Sequence, residues 1–290
     1  MSGNILGSAL MVLAMIGFGI EDALFKGATA TASPGIATLI FGGTGLTLFI
    51  ALSASSRETI WPRALFSGPL LWRSACEVAG RLFFALALAF APLSTTSAIL
   101  QAAPLVVTAG AAAILGERVG PSRWIAMSVG FAGVLLVLRP WGEAFSPALV
   151  FAVAATIGFA GRDLATRTSP ASLTWRQLGT AGFAMVVVAG ALITAFEARH
   201  ILPDAVGAVR LLAAGMVGVC AYTALTHAMR MGEVSVVAPF RYARLLVALI
   251  LAFVLFGERP DALMLWGAAL IVASGMYTLV RSGQRRRIAL

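Results

Sequence analysis

Ten apolar runs of about twenty residues follow one another along the chain, with short polar connections between them. A run of this length crosses the hydrocarbon layer, about 30 Å thick, when it is helical. In lipid, the backbone polar groups must be paired within the segment, which a helix achieves on its own. We therefore predict an all-α membrane protein with ten transmembrane helices. The runs cover residues 5–26, 35–54, 70–90, 94–115, 124–138, 147–166, 175–196, 209–229, 234–256 and 262–280.

The composition excludes several classes of protein. Hydrophobic residues make up 60% of the chain and charged residues 11%, about half the charge of a soluble domain. The net charge is +9, but the basic residues are spread along the loops and do not gather on one soluble face, so we expect no nucleic acid partner. No cluster of metal ligands, nucleophile elbow or phosphate loop is present, so we expect no enzymatic activity, metal or cofactor.

The arginines predict the orientation in the membrane. With the N-terminus in the cytoplasm, thirteen arginines fall on the cytoplasmic side and five lysines or arginines on the other. This bias follows the positive-inside rule and places both termini in the cytoplasm. The cytoplasmic set includes Arg73 and Arg162, and the basic tail Arg285, Arg286 and Arg287 faces anionic headgroups.

The chain also repeats itself. Gly257, Glu258 and Arg259 follow Gly116, Glu117 and Arg118 at an offset of 141 residues, and each triplet closes an apolar run. The same offset aligns Asp22 with Asp163, Lys26 with Arg167 and Ser94 with Ser235. Five spans per half mean that the second half enters the membrane from the opposite side, so the repeats are inverted, as in many transporters. We divide the chain into residues 1–141, residues 147–283 and a basic cytoplasmic tail at 284–290.

These features resemble a known family. The Gly-Glu-Arg closures, Gly-Phe at 17–18 and 158–159, and Ala91-Pro92-Leu93-Ser94 with Pro104 are similar to the EamA family of the drug/metabolite transporter superfamily. The resemblance implies alternating access in a bacterial-type inner membrane, with the third, fourth, eighth and ninth helices around the substrate path. Within the family the chain looks most like the YddG-type amino-acid exporters, which implies export of aromatic and other neutral amino acids.

Charged groups inside the spans are the candidate site residues. An ionisable residue at the centre of a span costs about 2.5–3.5 kcal/mol on insertion scales, so it normally faces protein or a wet cavity. Glu77 and Arg81 lie four residues apart and are predicted to pair, with Arg73 reaching the cytoplasmic interface. Arg241 and Arg244 have no acid in their own helix, so Glu77 or an anionic ligand is the expected partner. The alternative for Glu77 and Arg81 is an ion pair that only locks the helices together.

Polar residues in repeat-related helices complete the set. The offset places Arg81 opposite Tyr222 and Gln101 opposite Tyr242. We expect Arg241 or Arg244 to hold a substrate carboxylate, Glu77 to meet its ammonium group, and Tyr222 with Gln101 to orient it. The predicted substrate-binding residues are Glu77, Arg81, Gln101, Tyr222, Arg241, Tyr242 and Arg244.

Three further residues are candidates for coupling or gating. Asp22 and Asp163 align across the repeat and lie toward span ends, where a gate pair with Lys26 or Arg167, a proton site, or a charge near water are the open alternatives. His227, near the end of the eighth span, is a coupling candidate or an interface residue.

The remaining expectations concern motion and partners. Pro104 and Pro239 remove backbone hydrogen bonds and are predicted to bend their helices. The expected partners are amino acids and the lipid bilayer, with the protein a monomer or weak dimer. Another metabolite or drug, such as a vitamin, an S-adenosylmethionine-like compound or a lipophilic molecule, is the alternative substrate.

Overall fold

Ten helical spans follow one another in the computed structural model, which describes residues 2–114, 116, 119–140, 146–166, 173–231 and 233–288. All the secondary structure of these residues is helical, as predicted. The uninterrupted helices are α1 Ser2–Ala28, α2 Pro34–Ser55, α3 Gly68–Phe90, α5 Pro121–Leu138, α6 Leu149–Thr166, α7 Trp175–Phe196, α8 Ala205–Met231 and α10 Ala262–Ile288. Helix α4 consists of Leu93–Leu100 and Ala103–Ile114, and α9 of Val234–Val237, the 3-10 turn Ala238–Tyr242 and Ala243–Phe256.

Seven of the described helices are long and apolar enough to cross a membrane. Large apolar side chains cover the outside of the bundle, among them Leu246, Phe253 and Trp266, which are 64%, 59% and 67% exposed. Helix α3 carries Arg73, Glu77 and Arg81 and is less apolar for that reason. The fold is therefore that of a multi-pass membrane protein whose charges are turned inward.

Local sequence signals set the helix ends. Thr174 Oγ1 accepts a hydrogen bond from the backbone N–H of Gln177 at 3.3 Å, while Gln177 Oε1 accepts one from Thr174 N–H at 3.0 Å. This reciprocal capping box starts α7. Gly116 and Gly257, the glycines of the two triplets, have φ of +66° and +63°. Glycine adopts this left-handed conformation without a steric penalty and so ends α4 and α9.

The two predicted proline bends are confirmed. Helix α4 is interrupted at Gln101 and Ala102, just before Pro104, and α9 tightens into its 3-10 turn at Pro239. Each proline lacks the N–H that the preceding turn would use. These two helices are repeat partners, and they pack on each other.

The halves interlock helix by helix. Helix α1 packs on α8, and α6 packs on α3. Because α6 is the repeat partner of α1 and α3 is that of α8, these two contacts are equivalent. Likewise α2 packs on its own partner α7, and α5 on its own partner α10. The boundaries 1–141 and 147–283 stay predictions, and residues 141–145 lie outside the described residues, as do Glu117, Arg118 and Arg167. Nothing is described of the side chains of the tail arginines.

The repeated Gly-Phe pairs explain two close, repeat-related helix contacts. A Cβ added to Gly17 would lie 2.8 Å from Cβ of Ala221, and one added to Gly158 would lie 2.6 Å from the backbone nitrogen of Gly80. Residues 80 and 221 are themselves repeat equivalents. Small residues allow such backbone approach between membrane helices. The glycine of each pair therefore brings α1 onto α8 and α6 onto α3, and these contacts position the charged residues nearby.

Candidate substrate site

Nine charged side chains from four helices lie together inside the bundle, and we call this group the central network. Its members are Glu21 and Asp22 on α1, Arg73, Glu77 and Arg81 on α3, Arg162 and Asp163 on α6, and Arg241 and Arg244 on α9. Ion pairs link seven of them, and the pair Asp22–Arg244 lies next to Glu21. Both halves of the chain contribute, so the network lies where the repeats meet. Charges are tolerated at membrane depth when they pair with one another in this way.

Glu77 lies at the centre of the network. Its carboxylate accepts from Arg81 Nε at 3.4 Å and from Arg162 Nη1 at 3.3 Å, and Arg73 Nη2 lies 3.9 Å away. The predicted pairing of Glu77 with Arg81 is confirmed. The expectation that Arg73 reaches the cytoplasmic interface is wrong, because its side chain turns inward to Glu77 and is only 7% exposed.

Asp22 holds Arg244 in a fork. Arg244 Nε and Nη2 donate to the Asp22 carboxylate at 3.0, 2.8 and 2.7 Å, and the Asp22 side chain is 1% exposed. This two-pronged pairing corrects the expectation that Arg244 meets Glu77 or waits for a ligand. It also corrects the predicted gate between Asp22 and Lys26, because Lys26 Nζ instead donates to the carbonyls of Leu88 and Ala91 at 3.2 and 2.6 Å.

Glu21 belongs to the network although sequence reasoning did not select it. Its Oε1 accepts from Arg81 Nη1 at 3.4 Å, and no described residue donates a hydrogen bond to its buried Oε2. The available signal was a pair of adjacent acids inside an apolar run. The sequence analysis expects Asp22 toward the end of its span, whereas the structure buries both acids, with 3% exposure of Glu21 and 1% of Asp22.

The second half presents its acid differently. Asp163 Oδ1 accepts from its neighbour Arg162 at 3.0 and 2.8 Å, while Arg241 Nη2 lies 3.9 Å from Asp163 Oδ2. The Arg241 side chain is 38% exposed and that of Asp163 is 28% exposed. The predicted partner of Asp163, Arg167, is outside the described residues.

Aromatic rings lie against the arginines of the network. The Arg244 guanidinium lies 5.3 Å from the ring of Phe18 and 5.4 Å from that of Phe84, and Arg162 lies 4.9 Å from Phe159. Phe18 and Phe159 are the repeat-equivalent residues that follow Gly17 and Gly158. The ring faces attract the cations and shield them from lipid.

A narrow cavity opens beside Glu21, Asp22 and Arg81. Its volume is about 20 Å³, room for about one water molecule. Apolar side chains including Phe25, Phe41, Phe84 and Leu88 close it from the other sides. A metabolite therefore reaches these charges only after the surrounding helices move apart.

Of the remaining predicted residues, Gln101 and Tyr222 lie near the central network, whereas Tyr242 and His227 make other contacts. Gln101 Nε2 donates to the backbone carbonyl of Arg241 at 3.4 Å, and Tyr222 lies within electrostatic range of Glu77 with its ring against Phe49. The Tyr242 side chain is buried instead against Gly275 of α10, and the ring of His227 packs on Trp175 at 5.6 Å. Roles for Tyr242 in binding and for His227 in coupling remain predictions that these contacts do not support.

A polar cluster lies on the side of the bundle opposite the termini, and we define its two residues, Lys26 and Glu258, as the polar clamp. Glu258 accepts hydrogen bonds from the backbone N–H groups of Leu93 and Ser94 at 2.7 and 3.0 Å and from Ser94 Oγ at 2.6 Å. Lys26 binds the last carbonyls of α3 just before this turn. The second Gly-Glu-Arg triplet thus caps α4 from the other half of the chain.

A second polar contact lies on the same side of the bundle, opposite the termini. Arg139, in the left-handed conformation at the end of α5, donates to the carboxylate of Asp261. This hydrogen bond, with another from the backbone N–H of Met264, holds the pKa of Asp261 below its usual value.

Comparison with known proteins supports this architecture. The model of the EamA-like transporter family matches the chain twice, over residues 5–139 and 141–280. One solved crystal structure superimposes with a TM-score of 0.64, covering 96% of this chain and 98% of the other at 20% identity, which shows a common fold.

Characterised relatives have several different substrates. A riboflavin transporter of Rhizobium johnstonii is 25% identical over 99% of this chain and 95% of the relative. An S-adenosylmethionine uptake transporter of Rickettsia bellii is 28% identical over 66% of this chain and 65% of the relative. The pseudopaline exporter CntI of Pseudomonas aeruginosa is 26% identical over 92% and 94% of the two chains. None of these three names supports the narrower likeness to amino-acid exporters. With the family model covering nearly the whole chain, the protein belongs to the EamA-like transporter family.

Proposed function

We propose that this protein carries a small polar metabolite across a bacterial inner membrane by alternating access, with the central network as its substrate site. The observation that carries the proposal is the network itself, in which both inverted halves place charged groups at membrane depth. Ionisable groups buried in transmembrane helices mark substrate or ion pathways. Transporters built from inverted repeats bind their substrates where the repeats meet.

We propose further that the substrate contains a planar nitrogen heterocycle with polar groups attached. Phe18, Phe84 and Phe159 lie beside arginine side chains that offer hydrogen bonds in the same region. Rings stack on aromatic and guanidinium faces, while the donors and acceptors around them fix orientation. Riboflavin and S-adenosylmethionine, the compounds that two relatives are named for, both combine a fused nitrogen heterocycle with polar substituents.

A free amino acid is the second candidate substrate. The network offers carboxylates for an ammonium group and arginines for a carboxylate, as a zwitterion requires. The partly exposed Arg241 favours this candidate, since an α-carboxylate fits its planar fork. The named relatives give it no support, and we therefore place it second.

Both termini belong in the cytoplasm in this proposal. Arg73 and Arg162 leave the loop count because their side chains pair within the network, yet the excess of arginines on the side of the termini persists. The Lys26–Glu258 clamp then closes the periplasmic side.

The test is transport by the purified protein in proteoliposomes. Labelled riboflavin, S-adenosylmethionine and phenylalanine are each offered at equal concentration, with and without a pH gradient, beside protein-free liposomes. We expect riboflavin or S-adenosylmethionine to accumulate above the protein-free control, and the gradient arm reports proton coupling. Phenylalanine alone accumulating would replace the first candidate with the second, and no flux of any of the three compounds would refute the proposal.

A further inference from the structure

Arg241 is the least satisfied cation of the central network. Its nearest described carboxylate oxygen is Asp163 Oδ2 at 3.9 Å, beyond hydrogen-bond distance. The other oxygen of that carboxylate already accepts two hydrogen bonds from Arg162. The Arg241 side chain is 38% exposed, the highest value among the nine members. None of the described residues therefore forms a side-chain hydrogen bond with its planar fork, which can bind a further group.

Arg244, on the same helix as Arg241, has a complete set of carboxylate contacts and serves for comparison. It lies three residues further along α9, is 18% exposed, and is gripped by both oxygens of Asp22. Asp22 and Asp163 are repeat equivalents, so the two arginines face corresponding acids in opposite halves. Arg244 is fixed as part of the scaffold, whereas Arg241 is not.

The difference arises from one position of the repeat. Glu21 precedes Asp22 in the first half, and the equivalent residue before Asp163 is Arg162. The two acids of the first half engage Arg81 and Arg244. In the second half Arg162 neutralises its own neighbour, and Arg241 is left with a long contact. Repeat asymmetry has thus produced an arginine with spare binding capacity.

The charge balance indicates the kind of group that Arg241 takes. Among the described members there are five arginines and four carboxylates. A cation in a membrane-embedded site is costly unless an anion accompanies it. The guanidinium fork matches the geometry of a carboxylate or a phosphate. Gln101 holds the backbone carbonyl of Arg241, so the segment that presents the side chain is anchored.

We propose that Arg241 binds an anionic group, carboxylate or phosphate, of the transported metabolite, and that this group replaces the long contact with Asp163. This inference rests on the proposed function and narrows its substrate class. A heterocyclic metabolite that bears an anionic group is preferred over its neutral or decarboxylated counterpart.

Two matched pairs of compounds test the inference. Riboflavin is compared with riboflavin 5′-phosphate, and S-adenosylmethionine with its decarboxylated derivative, so that one pair varies a phosphate and the other a carboxylate. Uptake ratios within each pair are measured in proteoliposomes for wild type, Arg241→Gln and Arg241→Lys. The exposed Arg259→Gln serves as the control. A ratio within one preparation does not depend on how much of a variant is folded.

We expect wild type and Arg259→Gln to prefer the anionic member of at least one pair by about tenfold, which corresponds to 1.4 kcal/mol. Arg241→Gln loses this preference, and Arg241→Lys keeps part of it because the charge remains. The pair that discriminates identifies the anion. Equal ratios in wild type and Arg241→Gln overturn the subsite while transport itself stands. Absence of flux for all four compounds in wild type overturns the heterocyclic substrate and the subsite together, whereas the phenylalanine arm of the transport test decides whether the proposed function itself stands.

Discussion

Glu258→Gln tests whether the polar clamp stabilises the side of the bundle opposite the termini. The carboxylate accepts three hydrogen bonds at the start of α4, two of them from backbone N–H groups that the helix itself cannot satisfy. Hydrogen bonds to a charged group contribute about 1.5–3 kcal/mol each, and loss of a helix cap costs about 0.5–2 kcal/mol. Glutamine keeps one acceptor oxygen and loses the charge. We therefore expect a loss of about 1–2 kcal/mol.

Thermal unfolding of the detergent-purified protein measures this loss. At roughly 2–4 °C per kcal/mol, the expected fall in Tm is about 2–8 °C. The matched control is Arg259→Gln, which changes the exposed neighbour in the same loop. Glu258→Ala removes both oxygens and is expected to fall further than Glu258→Gln. If Glu258→Gln unfolds at the same temperature as Arg259→Gln, the carboxylate does not cap α4 in the way described.

Three other changes test the scaffold. Gly158→Ala puts a Cβ 2.6 Å from the backbone of α3, so overpacking that costs about 1–3 kcal/mol should lower its Tm. The control Gly182→Ala has open space at its Cβ and should keep the wild-type Tm. Equal Tm values for the two variants would refute the close contact. Asp22→Asn leaves Arg244 without its carboxylate partner inside the bundle. We expect the free energy of unfolding, measured with denaturant, to fall by about 3–5 kcal/mol. An unchanged unfolding midpoint would contradict the pairing. Arg139 lowers the folded-state pKa of Asp261. The ionised Asp261 therefore contributes its full stabilisation of the fold above the unfolded pKa of about 3.9, and this stabilisation is lost as the pH falls through the folded pKa. The Tm profiles of wild type and Asp261→Asn should converge at low pH, and parallel profiles would contradict this.

The helices and one ion pair follow from patterns that the sequence displays directly. Apolar length predicts the spans, and the two prolines predict the interrupted helices. The pairing of Glu77 with Arg81 follows because residues four apart share a helix face. Each of these inferences needs only local geometry.

The partners of the other charges depend on contacts between distant helices. Asp22 meets an arginine 222 positions away, and position along a span does not show how deeply a tilted helix buries it. Arg73 was misplaced for the same reason. The capping role of Glu258 becomes visible only when the end of α9 is seen beside the start of α4.

The substrate is the least predictable feature, and the structure shows why. The motifs that carry the family resemblance work as scaffold: Gly17 and Gly158 allow helices to touch, Gly257 ends a helix, and Glu258 caps another. Such motifs are compatible with many substrates. In our proposal the residues that discriminate between substrates lie in the asymmetric part of the repeat, where overall likeness to an exporter of amino acids carries little information.

The central claim is that the network of charges is the transport site, and flux through Glu77→Gln tests it most directly. This variant removes the charge that three arginines share, and Arg199→Gln, in an exposed loop, is the control. Both proteins are reconstituted at equal amounts after size-exclusion chromatography confirms that they are folded. For the metabolite that wild type carries best, the account predicts at least about a tenfold loss of initial rate in Glu77→Gln, equivalent to 1.4 kcal/mol, and none in Arg199→Gln. Equal initial rates in wild type and folded Glu77→Gln would contradict it.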